Sequence, residues 1–209
     1  MKLLDFQEAE KLLKKYKIKT PNSAIAKKRE EAVKIAKKLG FPVVLKIVSP
    51  DIIHKTEKKA VLANLKDEKA VGEAFDSIMK NAGKVRFKGM LVQKQAEGKE
   101  VIIGGKIDPQ FGAIVLFGLG GIFVEVMKDV TIRIAPIDKH EALMMIREIK
   151  GLPILLGARG EKIANIEKLA ETISSASKMI FESKIQEMDL NPVFVNDKEC
   201  IAVDARLMA

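Results

Sequence analysis

Tryptophan is absent from this chain, and tyrosine and cysteine occur once each. A single cysteine cannot close an internal disulfide, so the fold rests on its core and a reducing compartment, the cytoplasm, is the expected setting. With so few rings for bases to stack on, and no nucleic-acid motif, no nucleic-acid partner is expected. No apolar run reaches the roughly 20 residues of a spanning helix, so no membrane association is expected. The opening Met1-Lys-Leu-Leu-Asp-Phe-Gln-Glu8 is interrupted by acids and leads into no apolar stretch, unlike a secretion signal. Internal repeats and low-complexity tracts are also missing. So is a strand–GxGxxG–helix unit, which disfavours a doubly wound dinucleotide fold.

Lysine and arginine are plentiful: 37 against 28 acids, a net charge of +9 over 209 residues. The lysines are scattered over prospective helix faces, as at Lys27, Lys28, Lys34, Lys37 and Lys38. A solvated surface plus a site for a polyphosphate ligand accounts for the charge more simply than a nucleic-acid footprint.

Asp5-Phe-Gln-Glu8 can form a capping box for a helix running to about Tyr16. Thr20-Pro21-Asn22 interrupts the chain, and a second helix spans about Lys28–Leu39, stopping at Gly40. A strand Phe41–Ile47, a polar loop, a strand Val61–Leu65 and a helix of about Glu68–Ala82 follow. Strands Gly89–Gln95 and Glu100–Ile107, an apolar strand before Gly118, helices Lys139–Ile149 and Asn165–Ser183, and a terminal hairpin of 187–195 with 201–206 complete the pattern. Helices interleaved with short strands predict an α+β architecture with mostly antiparallel sheets.

Three regions carry chemistry. The strand Phe41–Ile47 is apolar except for Lys46, and lysine is seldom buried without a partner. Lys46 reads as a donor to nucleotide phosphates or as an edge-strand lysine facing solvent. The loop beyond it holds His54, whose imidazole titrates near neutrality and can act as a nucleophile; the alternative is an ordinary surface histidine. Three glycines in four residues, Gly118, Gly120 and Gly121, exceed what a hairpin needs and can turn backbone N–H groups toward an anion. Asn191 and Asp204, expected on neighbouring strands, offer the paired oxygens that Mg²⁺ shares with a nucleotide, or else a turn and an ion pair with Arg206. Arg133 reads as a contact to a transferring phosphoryl group or as the partner of Glu125 or Asp129.

In order and spacing, Ser49-Pro-Asp-Ile-Ile-His-Lys55, Gly98-Lys-Glu100, Asp108-Pro-Gln-Phe-Gly112, Gly118-Leu-Gly-Gly121, Gly157-Ala-Arg-Gly160, Asp189-Leu-Asn-Pro192 and Asp204-Ala-Arg206 resemble the ATP-grasp subunits of the ADP-forming acetyl-CoA synthetases. The resemblance implies an ATP-grasp fold of two lobes, 1–92 and 93–209, closing on a nucleotide. It implies His54 and Arg133 in phosphoryl transfer, and Asn191 and Asp204 on Mg²⁺. It further implies contacts to ATP or ADP at Lys46, Ser49, Lys55, Gln93, Lys94, Gln95, Glu100, Asp108, Gly118, Gly120, Gly121 and Glu125. The implied partner is a CoA-binding alpha subunit. The implied reaction makes ATP, acid and CoA from acyl-CoA, ADP and phosphate, relayed through a histidine. The chain departs from the family after His54, where Lys59-Ala60 replaces a pair of glycines. Two other readings stand beside this one: a stand-alone ATP-grasp carboxylate ligase, which would not need His54, and a non-catalytic regulatory nucleotide-binding subunit.

Overall fold

The computed structural model describes residues 1–52, 59–121 and 129–209, so His54, Lys55 and Glu125 lie outside the described residues. The chain forms two compact units, Met1–Thr20 together with Ala96–Ala209, and Pro21–Gln95. The expected division, 1–92 and 93–209, counts the first helix, α1 (Phe6–Lys15), with the N-terminal lobe. Its contacts group it with the C-terminal residues instead. Helix α1 starts at the expected capping box: the Asp5 carboxylate accepts the Glu8 N–H, and the Glu8 carboxylate accepts the Asp5 N–H.

The unit of residues 21–95 is built from β1 (Ser23–Ala26), α2 (Arg29–Leu39), β2 (Val43–Val48), β3 (Val61–Leu65), α3 (Glu68–Ala82) and β4 (Gly89–Lys94). Its strands pair antiparallel in the order β1-β4-β2-β3. Alternation along β2 and β4 sends Val43, Leu45, Ile47, Met90 and Val92 into one core with Ala32 and Ala36 of α2 and Val71, Phe75 and Ile78 of α3. Each such aliphatic or aromatic side chain contributes about 1.5–3 kcal/mol by leaving water. Helix α3 begins where the Asp67 carboxylate accepts the Ala70 N–H. The pairing of β2 with β3 shifts register between Val43 and Leu45. The extra residue is accommodated where Asn64 takes φ +59° and donates its N–H to the Gln95 side chain at 2.7 Å.

The other unit carries β5 (Lys99–Asp108), β6 (Gly112–Leu119), β7 (Val130–Ile134), α4 (Lys139–Glu148), the short α5 (Leu152–Leu155), α6 (Ile166–Glu182), β8 (Glu187–Val195), β9 (Cys200–Ala202) and β10 (Ala205–Met208). Its antiparallel sheet runs β10-β8-β5-β6-β7, with β9 also paired to β8. One face is covered. Leu169, Ile173, Ala176 and Ile180 of α6 pack in one cluster with Val101, Ile103, Val115, Phe117 and Leu190 of the sheet, and Ala9 and Leu13 of α1 join it. The chain ends meet at the sheet edge. Leu3 bridges Met208, and Lys2 and Ala209 exchange backbone hydrogen bonds at 2.6 and 2.9 Å.

Two details differ from the sequence reading. β1 was not expected, since four residues show no usable alternation. The closing segment 201–206 is not one strand: it breaks at Val203 and Asp204, leaving β9 and β10 as separate partners of β8.

Candidate functional site

In the 21–95 unit, β2 and β4 bring two of the expected residues together. Lys46 pairs with Leu91 and Val44 with Gln93, so Lys46 and Gln93 are diagonal neighbours on the face opposite the α2–α3 core, a separation long side chains bridge. Both are buried, at 6% and 3% exposure. An ammonium in so apolar a strand is stabilised only beside anionic or polar groups.

The neighbouring expected residues are engaged locally. The Lys94 ammonium donates to the Gly40 and Phe41 carbonyls at 3.0 and 2.9 Å, closing the C-terminal end of α2. The Gln95 side chain accepts the Asn64 N–H. Ser49 Oγ accepts the Asp51 N–H at 3.2 Å, shaping the turn that leaves β2.

That turn is held from a distance. The Asp51 carboxylate accepts the Arg86 backbone N–H at 2.7 Å, and its Oδ1 accepts Arg86 Nε and Nη2 at 2.9 and 2.6 Å. The ion pair raises the guanidinium's already high pKa. Arg86 was missed in the sequence; it lies far along the chain from Asp51, and no spacing rule joins them.

In the other unit, alternation along β5 and its pairing with β6 put Glu100, Ile102 and Gly118 on the face away from the helices. Gly120 donates its N–H to the Glu100 carbonyl at 2.8 Å, and a Cβ on Gly120 would lie 2.5 Å from Glu100 Cγ. The loop backbone thus lies directly against the Glu100 side chain, which only glycine allows. A Cβ on Gly118 would sit 2.8 Å from the Asp129 carbonyl. The Asp129 carboxylate is buried and accepts the Lys150 and Gly151 N–H groups at 2.9 and 2.7 Å.

Asp189, Asn191 and Arg206 line the same open face, with Asp189 opposite Arg206 on β10 and opposite Gly104 on β5. The Asn191 N–H donates to the Asp204 carbonyl at 3.2 Å, so these two expected metal residues are neighbours. Asp204 Oδ1 accepts the Ala205 N–H at 3.0 Å. Desolvation holds the Asp189 carboxyl above its ordinary range; Arg206 opposes this, and Asp204 and Glu187 reinforce it. No group of three or more His, Cys, Asp or Glu able to hold a metal occurs among the described residues. One carboxylate and one amide oxygen suit Mg²⁺ that completes its shell with phosphate and water, not an all-protein cage.

Two expected residues are placed elsewhere. Arg133 pairs with Val115 across β6 and β7, so it points to the helix-covered face, away from Glu100 and Gly118. There its guanidinium binds Glu141 at 2.6 Å and also Glu148, both on α4, which hold its pKa up. Among the described residues these pairs bridge β7 and α4, where the sequence offered a phosphoryl contact or an ion pair with Glu125 or Asp129. Asp108 caps the β5–β6 turn: its Oδ1 accepts the Gln110 and Phe111 N–H groups at 3.0 and 3.3 Å, and Lys106 lies 3.3 Å away. Those bonds, the Gln110 amide first, hold its carboxyl below the usual range. A pocket of about 470 Å³ near α1, lined by Glu10, Lys14, Lys17, Ile18, Lys19 and Thr20, contains none of the expected residues. No helix among the described residues is long and apolar enough to cross a membrane.

Comparison with known proteins bears on this arrangement. The ATP-grasp domain family matches residues 1–208. The beta subunit of acetate–CoA ligase [ADP-forming] I from Pyrococcus furiosus is 49% identical over 207 residues, covering 96% of this chain and 89% of that protein. A solved acetyl-coenzyme A synthetase 1 from Ca. Korarchaeum cryptofilum, in complex with coenzyme A and Ca-AMPCP, superposes with a TM-score of 0.95 at 41% identity, covering 99% of this chain and 93% of that one. Another structure of that protein holds coenzyme A and Mg-AMPPCP, with its phosphohistidine segment pointing towards the nucleotide binding site; its TM-score is 0.85 at 39% identity, covering 98% and 91%.

Proposed function

The chain belongs to the ATP-grasp family, among the ligase subunits typified by the beta subunits of ADP-forming acetate–CoA ligases, and from that premise we propose that it carries a phosphoryl group between His54 and Mg-ADP. One observation carries the reading: a relative alike over 98% of this chain holds coenzyme A and Mg-AMPPCP with a phosphohistidine segment turned to its nucleotide site. A CoA-binding alpha subunit makes the acyl-phosphate and hands its phosphoryl group to this chain, so that acyl-CoA, ADP and phosphate become acid, CoA and ATP, reversibly.

Within this chain the step is a displacement at phosphorus. A terminal oxygen of ADP bonds to the phosphorus on the His54 imidazole, the P–N bond breaks, ATP forms, and the freed nitrogen takes up a proton. Such transfer depends on positioning and on cations around the phosphoryl oxygens. The Lys46 ammonium supplies a fixed positive charge to the phosphates, with Gln93 beside it. Glu100 offers a carboxylate to the ribose hydroxyls, and the Gly118–Gly121 backbone approaches the phosphates. Asn191 and Asp204 would hold Mg²⁺, which would supply positive charge to offset that of the phosphates. Lys55 and Glu125 join the nucleotide contacts. Ser49, Lys94 and Gln95 act through the backbone that their side chains fix.

The test uses the chain with Mg²⁺ and ATP labelled on the γ-phosphate. Acid-labile, base-stable label on the wild type and its absence from His54→Asn are expected. Synthesis of acyl-CoA by this chain alone would overturn the two-subunit reading.

A further inference from the structure

The glycine loop is held from two sides. On the open face, Gly120 donates its N–H to the Glu100 carbonyl at 2.8 Å. On the other, Leu119, the residue between Gly118 and Gly120, is 2% exposed and enters the helix-covered core. Its side chain rests on the backbone of Gly151: a Cβ there would lie 2.8 Å from Leu119 Cγ and closer still to Cδ1. Gly151 has φ −77° and ψ 2°, which alanine also adopts, so this contact and not the backbone demands glycine. Gly151 is in turn fixed by Asp129. That carboxylate, 9% exposed, accepts the Gly151 N–H at 2.7 Å and the Lys150 N–H at 2.9 Å. Bonds from amides to a carboxylate are charge-assisted, stronger than those between neutral groups. The Asp129 carbonyl also stands 2.8 Å from where a Cβ on Gly118 would be. Asp129 therefore meets the loop by two routes, through Gly151 to Leu119 and through its own carbonyl at Gly118.

We propose that Asp129 and Gly151 are positioning residues for nucleotide binding: together they form the seat that fixes Leu119, and through it the Gly120 N–H and the Glu100 side chain. This rests on the reading that Glu100 and the Gly118–Gly121 backbone meet the nucleotide. Neither Asp129 nor Gly151 touches the nucleotide in this role. One methyl added at 151 should tip Leu119 from its seat, because a packed core has no room to absorb it. A shortened side chain at 119 should make room for that methyl. Residues that only held the fold would lose stability on substitution without disturbing the Gly120 N–H or the nucleotide.

The experiment measures two quantities on the full chain: exchange of the Gly120 amide hydrogen without nucleotide, by NMR, and Mg-ADP affinity by calorimetry. The variants are Gly151→Ala, Leu119→Ala, their double, Asp129→Asn and Gly120→Ala. Gly151→Ala and Asp129→Asn should each speed Gly120 exchange and weaken Mg-ADP binding by about tenfold. On the Leu119→Ala background, Gly151→Ala should cost less than about threefold, because the obstructing atoms are gone. Unchanged Gly120 exchange in either single variant, or an equal loss on the Leu119→Ala background, overturns the proposal and leaves the nucleotide reading intact. Faster exchange without loss of affinity overturns it too; if Gly120→Ala then also binds normally, the reading of the loop as a nucleotide contact falls with it. Should Gly151→Ala not fold, Asp129→Asn, which keeps the shape of the side chain, decides by the same two measurements.

Discussion

Gly120 and Glu100 are in direct apposition: the glycine N–H bonds to the glutamate carbonyl at 2.8 Å, and the space a Cβ would need is filled by Glu100 Cγ. Gly120→Ala should therefore push the Glu100 side chain from its place. The expected outcome is Mg-ADP binding weaker by about tenfold, near 1.4 kcal/mol, read by calorimetry. Unchanged affinity would show that the Glu100 orientation is immaterial to the nucleotide.

Arg133 makes the opposite forecast. Its guanidinium joins β7 to α4 through Glu141 and Glu148 with a quarter of the side chain exposed. Arg133→Met should lower stability by about 1–2 kcal/mol in denaturant unfolding and leave Mg-ADP affinity and His54 labelling as they were. A normal stability with lost labelling would restore the residue to the chemistry.

Asp108 supplies a pH test. Its carboxyl ionises below the usual range because the Gln110 and Phe111 amides and Lys106 favour the anion. A depressed carboxylate contributes stability that is present above the unfolded value, about 3.9, and is lost as pH falls through the folded value. Asp108→Asn should melt below the wild type at about pH 7, the gap closing on acidification below about pH 3.9, with Mg-ADP affinity unaltered. A gap that persists in acid would assign the effect to shape and not charge.

Lys59 adopts φ +48°, a left-handed backbone conformation in which glycine is usual. A side chain in this region costs roughly 1–2 kcal/mol, partly offset by the greater freedom of glycine in the unfolded chain. Lys59→Gly should raise stability by about 0.5–1 kcal/mol, measured by thermal or denaturant unfolding. Destabilisation would mean that the lysine side chain makes a compensating contact.

For the metal, Asp204→Asn should weaken nucleotide binding in Mg²⁺ and leave binding in EDTA almost unaffected, since one anionic oxygen is removed from a hard-cation site. Equal losses in both media would make Asp204 a structural residue of the β9–β10 break.

Where the chain advertises its structure, it does so through local chemistry. Asp5 and Glu8 form the capping box their spacing predicts, and α3 runs over Glu68–Ala82 from the Asp67 cap as the pattern indicates. The antiparallel α+β arrangement follows from the same signals. Facing was harder to read. In Val130-Thr-Ile-Arg-Ile134 the isoleucines suggest the core side, yet Ile132 and Ile134 are 50% and 61% exposed, and Arg133 turns to the helices because Glu141 and Glu148 wait there. The partners of Asp108 and Asp129 were equally hidden, being backbone amides that no sequence motif names. The juxtaposition of Lys46 with Gln93, and of Glu100 with Gly120, likewise depends on strand register between distant segments.

The pairing of Lys2 with Ala209 sets the order in which the molecule can be completed. Residues 21–95 hold their own core and can condense as soon as they are synthesised. The first 20 residues belong to the other unit and must wait until strand β10 has emerged before α1 and the Leu3 bridge find their partners. Closing so long a loop is slow relative to local contacts. During translation the apolar side of α1, with Ala9 and Leu13, therefore remains uncovered longest. It is the stretch on which a nascent-chain chaperone would have the most time to act.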